Sequence, residues 1–312
     1  MAELLVQWSE VDAEQALGCA DFCRCPFSHQ TSMNGKRATH ATMTFTIPRG
    51  PQRIVCLTEE PTELLYLLGE EHRIVGITAY TVRPPEAMKS KPVVSAFIGG
   101  SIARIKALNP DLIIGFSDVQ AEYARSLIAE GLPVMIFNQR SLAEILEVLV
   151  TMGQMVGAES RVRTLVEGYV RRLDAVQEES QKLVRRPRVY FEEWDEPMIS
   201  CIRWVHELIE IAGGQNIFGE ASLSAASKGR IVTVEQVQKA APEVILASWC
   251  GKALDEASLR ARLGEDVPAI RDGRIYEVPS EIILQPGPAC LTDGLDALVR
   301  LIHQEAVYSP AP

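Results

Sequence analysis

Long apolar runs are missing from this chain. No stretch of about 18 uninterrupted apolar residues occurs, which excludes a membrane-spanning helix. A basic start followed by an apolar stretch is missing too. The opening MAELLVQWSEVDAEQ carries Glu3, Glu10, Asp12 and Glu14 where a secretory signal would be apolar, so the expected location is the cytoplasm. "ALGC" before Cys19 has the order of a lipoprotein cleavage site, in a segment too acidic to insert. Excess positive charge is also absent. Lys and Arg number 31 against 41 Asp and Glu, a formal charge of −10, which argues against nucleic acid or an anionic membrane surface as the main partner. Phosphate-cradling glycine loops are lacking as well, since "GRIV" (Gly229–Val232) has no surrounding glycines. The 7 cysteines make an odd count. Cys56, Cys201, Cys250 and Cys290 are scattered in apolar surroundings, as reduced thiols are. Cys19, Cys23, Cys25 and His29 cluster without the paired C-x-x-C spacing of structural zinc. Residues 1–47 are expected to be a disordered leader, with Met43 as an alternative start.

What is present is apolar matter: 47% of residues are hydrophobic and 23% charged, enough for a core in two domains. "RIVCLTEEPTELLYLLG" reads as strand, polar turn and helix, with Thr58 or Glu59 as cap, Pro61 in the first turn and Gly69 as the stop. "HRIVGIT", "DLIIGF" and "LPVMIFN" read as strands. "SIARIKALN", "QAEYARSLIAEG" and Ser141–Gly157 read as helices, and the alternation implies a parallel sheet. From Glu159 to about Val184 an amphipathic pattern without proline predicts one helix of roughly 39 Å. The scheme then restarts at "RVYFEEWDEP", with a helix expected from near Pro197.

Two segments echo each other at a constant offset. "SIARIKALNPDLII" (Ser101–Ile114) matches "TVEQVQKAAPEVIL" (Thr233–Leu246), pairing Ile102 with Val234, Ile105 with Val237, Pro110 with Pro242, Asp111 with Glu243 and Ile113 with Ile245. Duplication explains this order. The expected fold is α/β: two Rossmann-like lobes with central parallel sheets, residues 48–157 and 187–308, joined by one long helix in 158–186, with a ligand cleft between them. The stiff helix should limit motion to a few degrees of lobe rocking.

Ligands of open parallel sheets sit beyond the carboxyl ends of the strands. The residues placed there are Tyr80 and Arg83, Phe97 and Ile98, Phe116, Trp194 and Asp195, Trp249, and Ile282, Leu284 and Gln285. Aromatics converging from both halves suit a large flat ligand.

With "RIVGITAYTVRPPEA", "ELIEIAGGQNIF" and the tail "QPGPACLTDGLDALVRLI" added, the chain resembles the substrate-binding proteins of iron-chelate and vitamin B12 ABC importers, from Pro48 to about His303. The nearest likeness is to the cobalamin-binding type, and "WDEPMISCIRWVHELIEIAGG" with "SWCGK" resembles a subgroup that often lacks export signals. The resemblance implies that Tyr80, Phe97, Phe116 and Trp194 line a cleft for a corrinoid, or an iron–siderophore or haem next, with no catalytic cofactor and a monomeric protein. It also implies docking on an ABC permease through a surface glutamate on each lobe; here Ala103 and Gln215 stand at those positions. A chelatase-like enzyme is the alternative, with His206 as its cleft histidine. Cys250 reads as a plain buried thiol, with a reactive, low-pKa thiol or an axial cobalt ligand as the alternatives. Asp195 and Glu196 read as ligand contacts or as caps of the helix after Pro197. Arg83, Lys228 and Arg230 are loop cations that could meet a carboxylate or phosphate.

Overall fold

The structure, a computed structural model, describes residues 50–303. The expected leader and the Cys19, Cys23, Cys25 and His29 cluster lie outside the described residues. The first half is built on β1 (Ile54–Cys56), β2 (Ile74–Thr78), β3 (Val93–Ala96), β4 (Gly99–Gly100), β5 (Leu112–Phe116) and β6 (Val134–Phe137). They form one sheet in the order β4-β3-β2-β1-β5-β6. All neighbours run parallel except β4, which folds back on β3.

The second half holds β7 (Arg188–Asp195), β8 (Met198–Ser200), β9 (Gln215–Asn216), β10 (Val244–Ala247) and β11 (Ile275–Glu277). Its order is β11-β10-β7-β8, with β9 beside the start of β7. Only β8 is antiparallel, paired with the end of β7. So two parallel-rich sheets, flanked by helices, stand on either side of a linking helix, as expected for two Rossmann-like lobes.

That linking helix runs Glu159–Ser180, 22 residues and so about 33 Å. It ends short of Val184 because the chain tightens into turns, with the amides of Lys182 and Leu183 on the carbonyls of Glu179 and Ser180, and because Pro187 then disfavours helix in the residue before it. The preceding helix, Leu142–Met155, starts in a full capping box: Ser141 accepts from the Glu144 amide while Glu144 reaches back to the Ser141 amide.

Strand alternation decides how the core is divided. Ile54 and Cys56 of β1, and Val244 and Leu246 of β10, belong to one apolar cluster that continues through Val162 and Leu173 of the linking helix to Leu298. Their neighbours face the other way. Val55 packs with Ile105, Ile113 and Leu127, and Ile245 packs with Tyr190, Val237 and Leu259. Each sheet therefore keeps a private outer core, and their inner faces share a common one.

The internal echo is reproduced in three dimensions. Ser101 and Thr233 both cap their helices by accepting an amide three residues on. Asn109 and Ala241 both take a left-handed backbone (φ 45° and 44°) just before the matched prolines. Asp111 then accepts the amides of Gln52 and Arg53, and Glu243 accepts that of Arg188. Arg53 and Arg188, at the entries of β1 and β7, return donors to the carbonyls that end the matched helices. One cap–turn–clamp device thus sets both lobes.

The expected helix after Pro197 is absent. Glu196 and Pro197 form the tip between Asp195 and its partner Met198, and the helix begins only at Arg203. Glu196 is therefore a hairpin-turn residue and caps nothing: β7 remains extended through Trp194, and pairing with β8 satisfies backbone groups that a helix would have taken.

Left-handed backbone is unfavourable for alanine, while glycine adopts it freely. Ala241→Gly is expected to stabilise the fold by about 1 kcal/mol and raise Tm by roughly 2–4 °C. Differential scanning calorimetry checks this, and a lowered Tm would contradict the role assigned to the turn.

Candidate functional site

At the carboxyl edge of the first sheet, large apolar side chains remain in water. Tyr80, after β2, is 54% exposed, and Val82 follows it; Ile98, after β3, is 66% exposed, and Val119 stands after β5. Phe97 is half-buried beside Ile98. Buried Gln120 joins two of these loops, donating to the Phe97 carbonyl and accepting the Phe116 amide. The predicted Tyr80, Phe97 and Ile98 thus share one rim.

Phe116 departs from expectation. It is 7% exposed, with its ring 6.1 Å edge-on from Trp204 of the other lobe and Arg140 lying 5.1 Å over it. Trp204 donates its indole N–H to the Ile283 carbonyl. Ile282 and Leu284 pack, half-buried, against the same cluster. These side chains form the seam between the lobes, and Phe116 offers no open face. Sequence reasoning missed Trp204, whose helical position inside "IRWVHEL" carries no sign that it crosses to the other sheet.

The second lobe presents aromatics embedded in charge. Trp249 is buried, its N–H on Glu192. Trp194 is half-buried, its N–H on the Glu196 carbonyl. Lys252 stands 5.1 Å from the Trp194 ring and 4.7 Å from that of Trp249, and its ammonium is 2.6 Å from Asp195. Asp195 therefore answers a lysine of its own lobe. Fully buried Glu192 is held by Arg262 and by the Tyr190 hydroxyl, which donates to it. Arg230 is paired with Glu193.

Arg83 is likewise committed. Its guanidinium joins Glu63 of its own lobe at 2.9 Å to Asp293 of the other at 2.8 Å. Glu63 also accepts the amide of Ala289, and Gln139 donates to the Pro286 carbonyl. Half-buried Gln285 opens this strap of the second lobe. Gly287 lies so close to Glu60 that an added Cβ would come within 2.5 Å of the Glu60 Cβ.

The strap rests on a feature not anticipated from sequence: Glu59, Glu60 and Glu63, on the first turns of the Glu59–Leu67 helix, are all buried. Thr58 occupies the cap position, but its hydroxyl donates to Glu60 instead of capping. Glu59 accepts the Val82 amide. The "TEEPTE" signal was legible as three acids at a helix start, a pattern normal on an exposed turn; their burial comes from the opposite lobe.

Cys250 is exposed, and the desolvation it does suffer, with Glu193 and Glu59 nearby, pushes its thiol up. Neither the buried nor the low-pKa reading holds. His206 shares a hydrogen bond with Asn216 and lies 4.0 Å from Glu210 on the same helix. It is a satisfied helix residue. Among the described residues, no group of three or more His, Cys, Asp or Glu could hold a metal ion, and no helix is long and apolar enough to cross a membrane.

A family profile described as periplasmic binding protein matches residues 54–282. The chain belongs to the periplasmic binding protein family. A vitamin B12-binding protein of Vibrio parahaemolyticus is 24% identical over 243 residues, 77% of this chain and 86% of its own. An uncharacterized ABC transporter substrate-binding lipoprotein of Bacillus subtilis is 24% identical, covering 83% of this chain and 82% of the relative. Among solved structures, the periplasmic heme-binding protein RhuT of Roseiflexus sp. RS-1 superposes with a TM-score of 0.66 at 26% identity, over 81% of this chain and all of that one (100%). The vitamin B12-binding protein BtuF of Vibrio cholerae shares the fold, at a TM-score of 0.65 and 20% identity, over 82% of this chain and 98% of its own.

In this periplasmic binding protein, the seam between lobes is acid-rich, and burial makes it pH-sensitive. Desolvation pushes Glu59 up to about 8 and Glu60 up to about 7, with neighbouring carboxylates adding to the rise. Both are protonated in the fold where an unfolded chain would be ionised. Between the ordinary carboxylate range and about pH 8 these two groups bind more protons in the folded state, so their contribution to stability is full at low pH and is lost as pH rises through 7 and 8. Thermal melts from pH 5 to 8.5 are expected to show this decline, and Glu60→Gln, which is neutral at every pH, should flatten it. A Tm that rises with pH across this window in the wild type would contradict the assignment.

Proposed function

We propose that the chain binds a large metal chelate in the cleft between its lobes: cobalamin or another corrinoid first, then haem or an iron–siderophore. The observation that carries the reading is the row of exposed apolar side chains, Tyr80, Val82, Ile98 and Val119, on the loops that follow β2, β3 and β5. Exposed apolar surface concentrated at the carboxyl edge of a parallel sheet is where a flat, partly apolar ligand gains from leaving water. The names of the vitamin B12-binding and heme-binding relatives support the same ligand class.

Trp194 completes the surface from the second lobe, with Trp249, Asp195 and Lys252 behind it. Ile282, Leu284 and Gln285 form the floor, where the seam lies, and Arg83 acts by tying the lobes together. The work done is recognition without bond making. A monomer suffices for it. Delivery to an ABC permease would proceed without the paired carboxylates implied by the resemblance, because Ala103 and Gln215 are exposed and uncharged at those positions.

The protein is incubated with cyanocobalamin, haem and a ferric siderophore, desalted, and its absorbance spectrum recorded. Retained colour with one of them is expected; a colourless protein after all three overturns the proposal. Tyr80→Ala and Trp194→Ala should each weaken the retained ligand about tenfold, while Val184→Ala, at a site 95% exposed on the far end of the linking segment, leaves the affinity unchanged.

A further inference from the structure

The rim's most exposed side chain stands on its slightest element. Ile98, 66% exposed, forms with Phe97 the two-residue turn between β3 and β4. That hairpin is held by two residue pairs, Ser95 with Gly100 and Ala96 with Gly99. Two-residue hairpins favour turns with positive φ at their centre, because those match the twist of the strands. Neither Phe97 nor Ile98 has a positive φ, and a hairpin this short has little stability of its own. The turn needs support from outside.

Gln120 supplies it. Gln120 is fully buried, 0% exposed, and its side-chain amide lies between two backbone groups. Oε1 accepts the Phe116 amide at 3.0 Å, and Nε2 donates to the Phe97 carbonyl. One neighbour offers an N–H and the other an oxygen, so the amide fits in a single orientation. The chain bends to make these bonds. Ser117 takes φ 81°, unfavourable for any residue but glycine, and the short turn Asp118–Gln120 brings Gln120 back onto Phe116. Gly115 leaves the room: a Cβ there would stand 2.2 Å from Gln120 Oε1. Phe116 is itself fixed, its ring packed against Trp204 of the other lobe. Rigidity at the seam thus passes through one buried amide to the tip of the rim.

We propose that Gln120 is a positioning residue of the binding site, holding the Phe97–Ile98 turn in the conformation that meets the ligand. This rests on the chelate-binding reading and deepens it. Gln120 itself touches no ligand. It sets the turn in order before the ligand arrives, so that binding does not have to bear the entropy of ordering it.

The test is made on the full chain with two variants. Gln120→Met keeps the length of the side chain and loses both bonds. In the ligand-free protein it is expected to speed hydrogen exchange at the amides of Phe97, Ile98 and Gly99 about tenfold, with an unchanged circular dichroism spectrum. Absorbance titration with cyanocobalamin and with haem should show about tenfold weaker binding of the chelate that the wild type retains. In Gln120→Glu an ionised carboxylate still accepts the Phe116 amide but has no hydrogen for the Phe97 carbonyl, whereas the neutral acid has one. Its loss of affinity, relative to wild type at the same pH, is therefore expected to be large at pH 8 and to shrink towards pH 5. A side chain that merely fills space would give no such recovery, and this arm stands if Gln120→Met fails to fold. Wild-type exchange at the turn in the folded variants overturns the proposal. So does faster exchange with unchanged affinity for a chelate that the wild type binds. A wild type that binds no chelate, with exchange at the turn still accelerated in the variants, removes the chelate reading and with it the ligand-positioning role, while leaving Gln120 as the support of the turn.

Discussion

The lobes are held by an aromatic contact at the bottom of the cleft: the edge of one ring, Phe116 or Trp204, against the face of the other. An edge-to-face pair adds roughly 0.5–1.5 kcal/mol beyond the area it buries, and here the indole N–H is also satisfied by the Ile283 carbonyl. Around it the inner faces of both sheets and the linking helix merge into one core. Opening the lobes widely would tear this core. The cleft is therefore shaped largely before any ligand arrives, and its rim can be apolar without collapsing on itself.

Polar contacts over the seam add direction to this apolar hold. Arg83 spans from Glu63 to Asp293, and the Ala289 amide bonds Glu63. The acids Glu59 and Glu60 lie under the same strap with no cation paired to them among the described residues, so burial raises both and favours the neutral acid below about pH 7. A neutral acid donates as well as accepts, and packs more cheaply than a carboxylate would. On the second lobe, cations and acids pair beneath Trp194 and Trp249 and hold both indoles in place. What stays exposed at the strand ends is a set of side chains whose neighbours are held in place.

Much of the architecture was legible because its signals are local. The helix starting at Ser141, the stop at Gly69 and the matched Ser101 and Thr233 segments depend on residues a few positions apart, and each forms as read. The rim residues Tyr80 and Ile98 follow from strand ends alone. The failures share a cause. Phe116 and Trp204 find each other across 88 positions of sequence, the hairpin after Trp194 exists because β8 has an edge to pair with, and Arg83 and Asp195 have partners that no spacing reveals. Trp249 looked like a cleft face and is buried under Lys252.

By itself, the order of residues determined that this would be a duplicated α/β chain with a long helix between its halves, because alternation, caps and turn residues act over short range. Only the tertiary structure decided which strand-end residues stay exposed and which become mortar between the lobes. That choice depends on which side chains from the other half arrive to cover them. Burial by a distant segment is a property of the packed molecule, and it sets both the exposure of an aromatic face and the protonation of a glutamate.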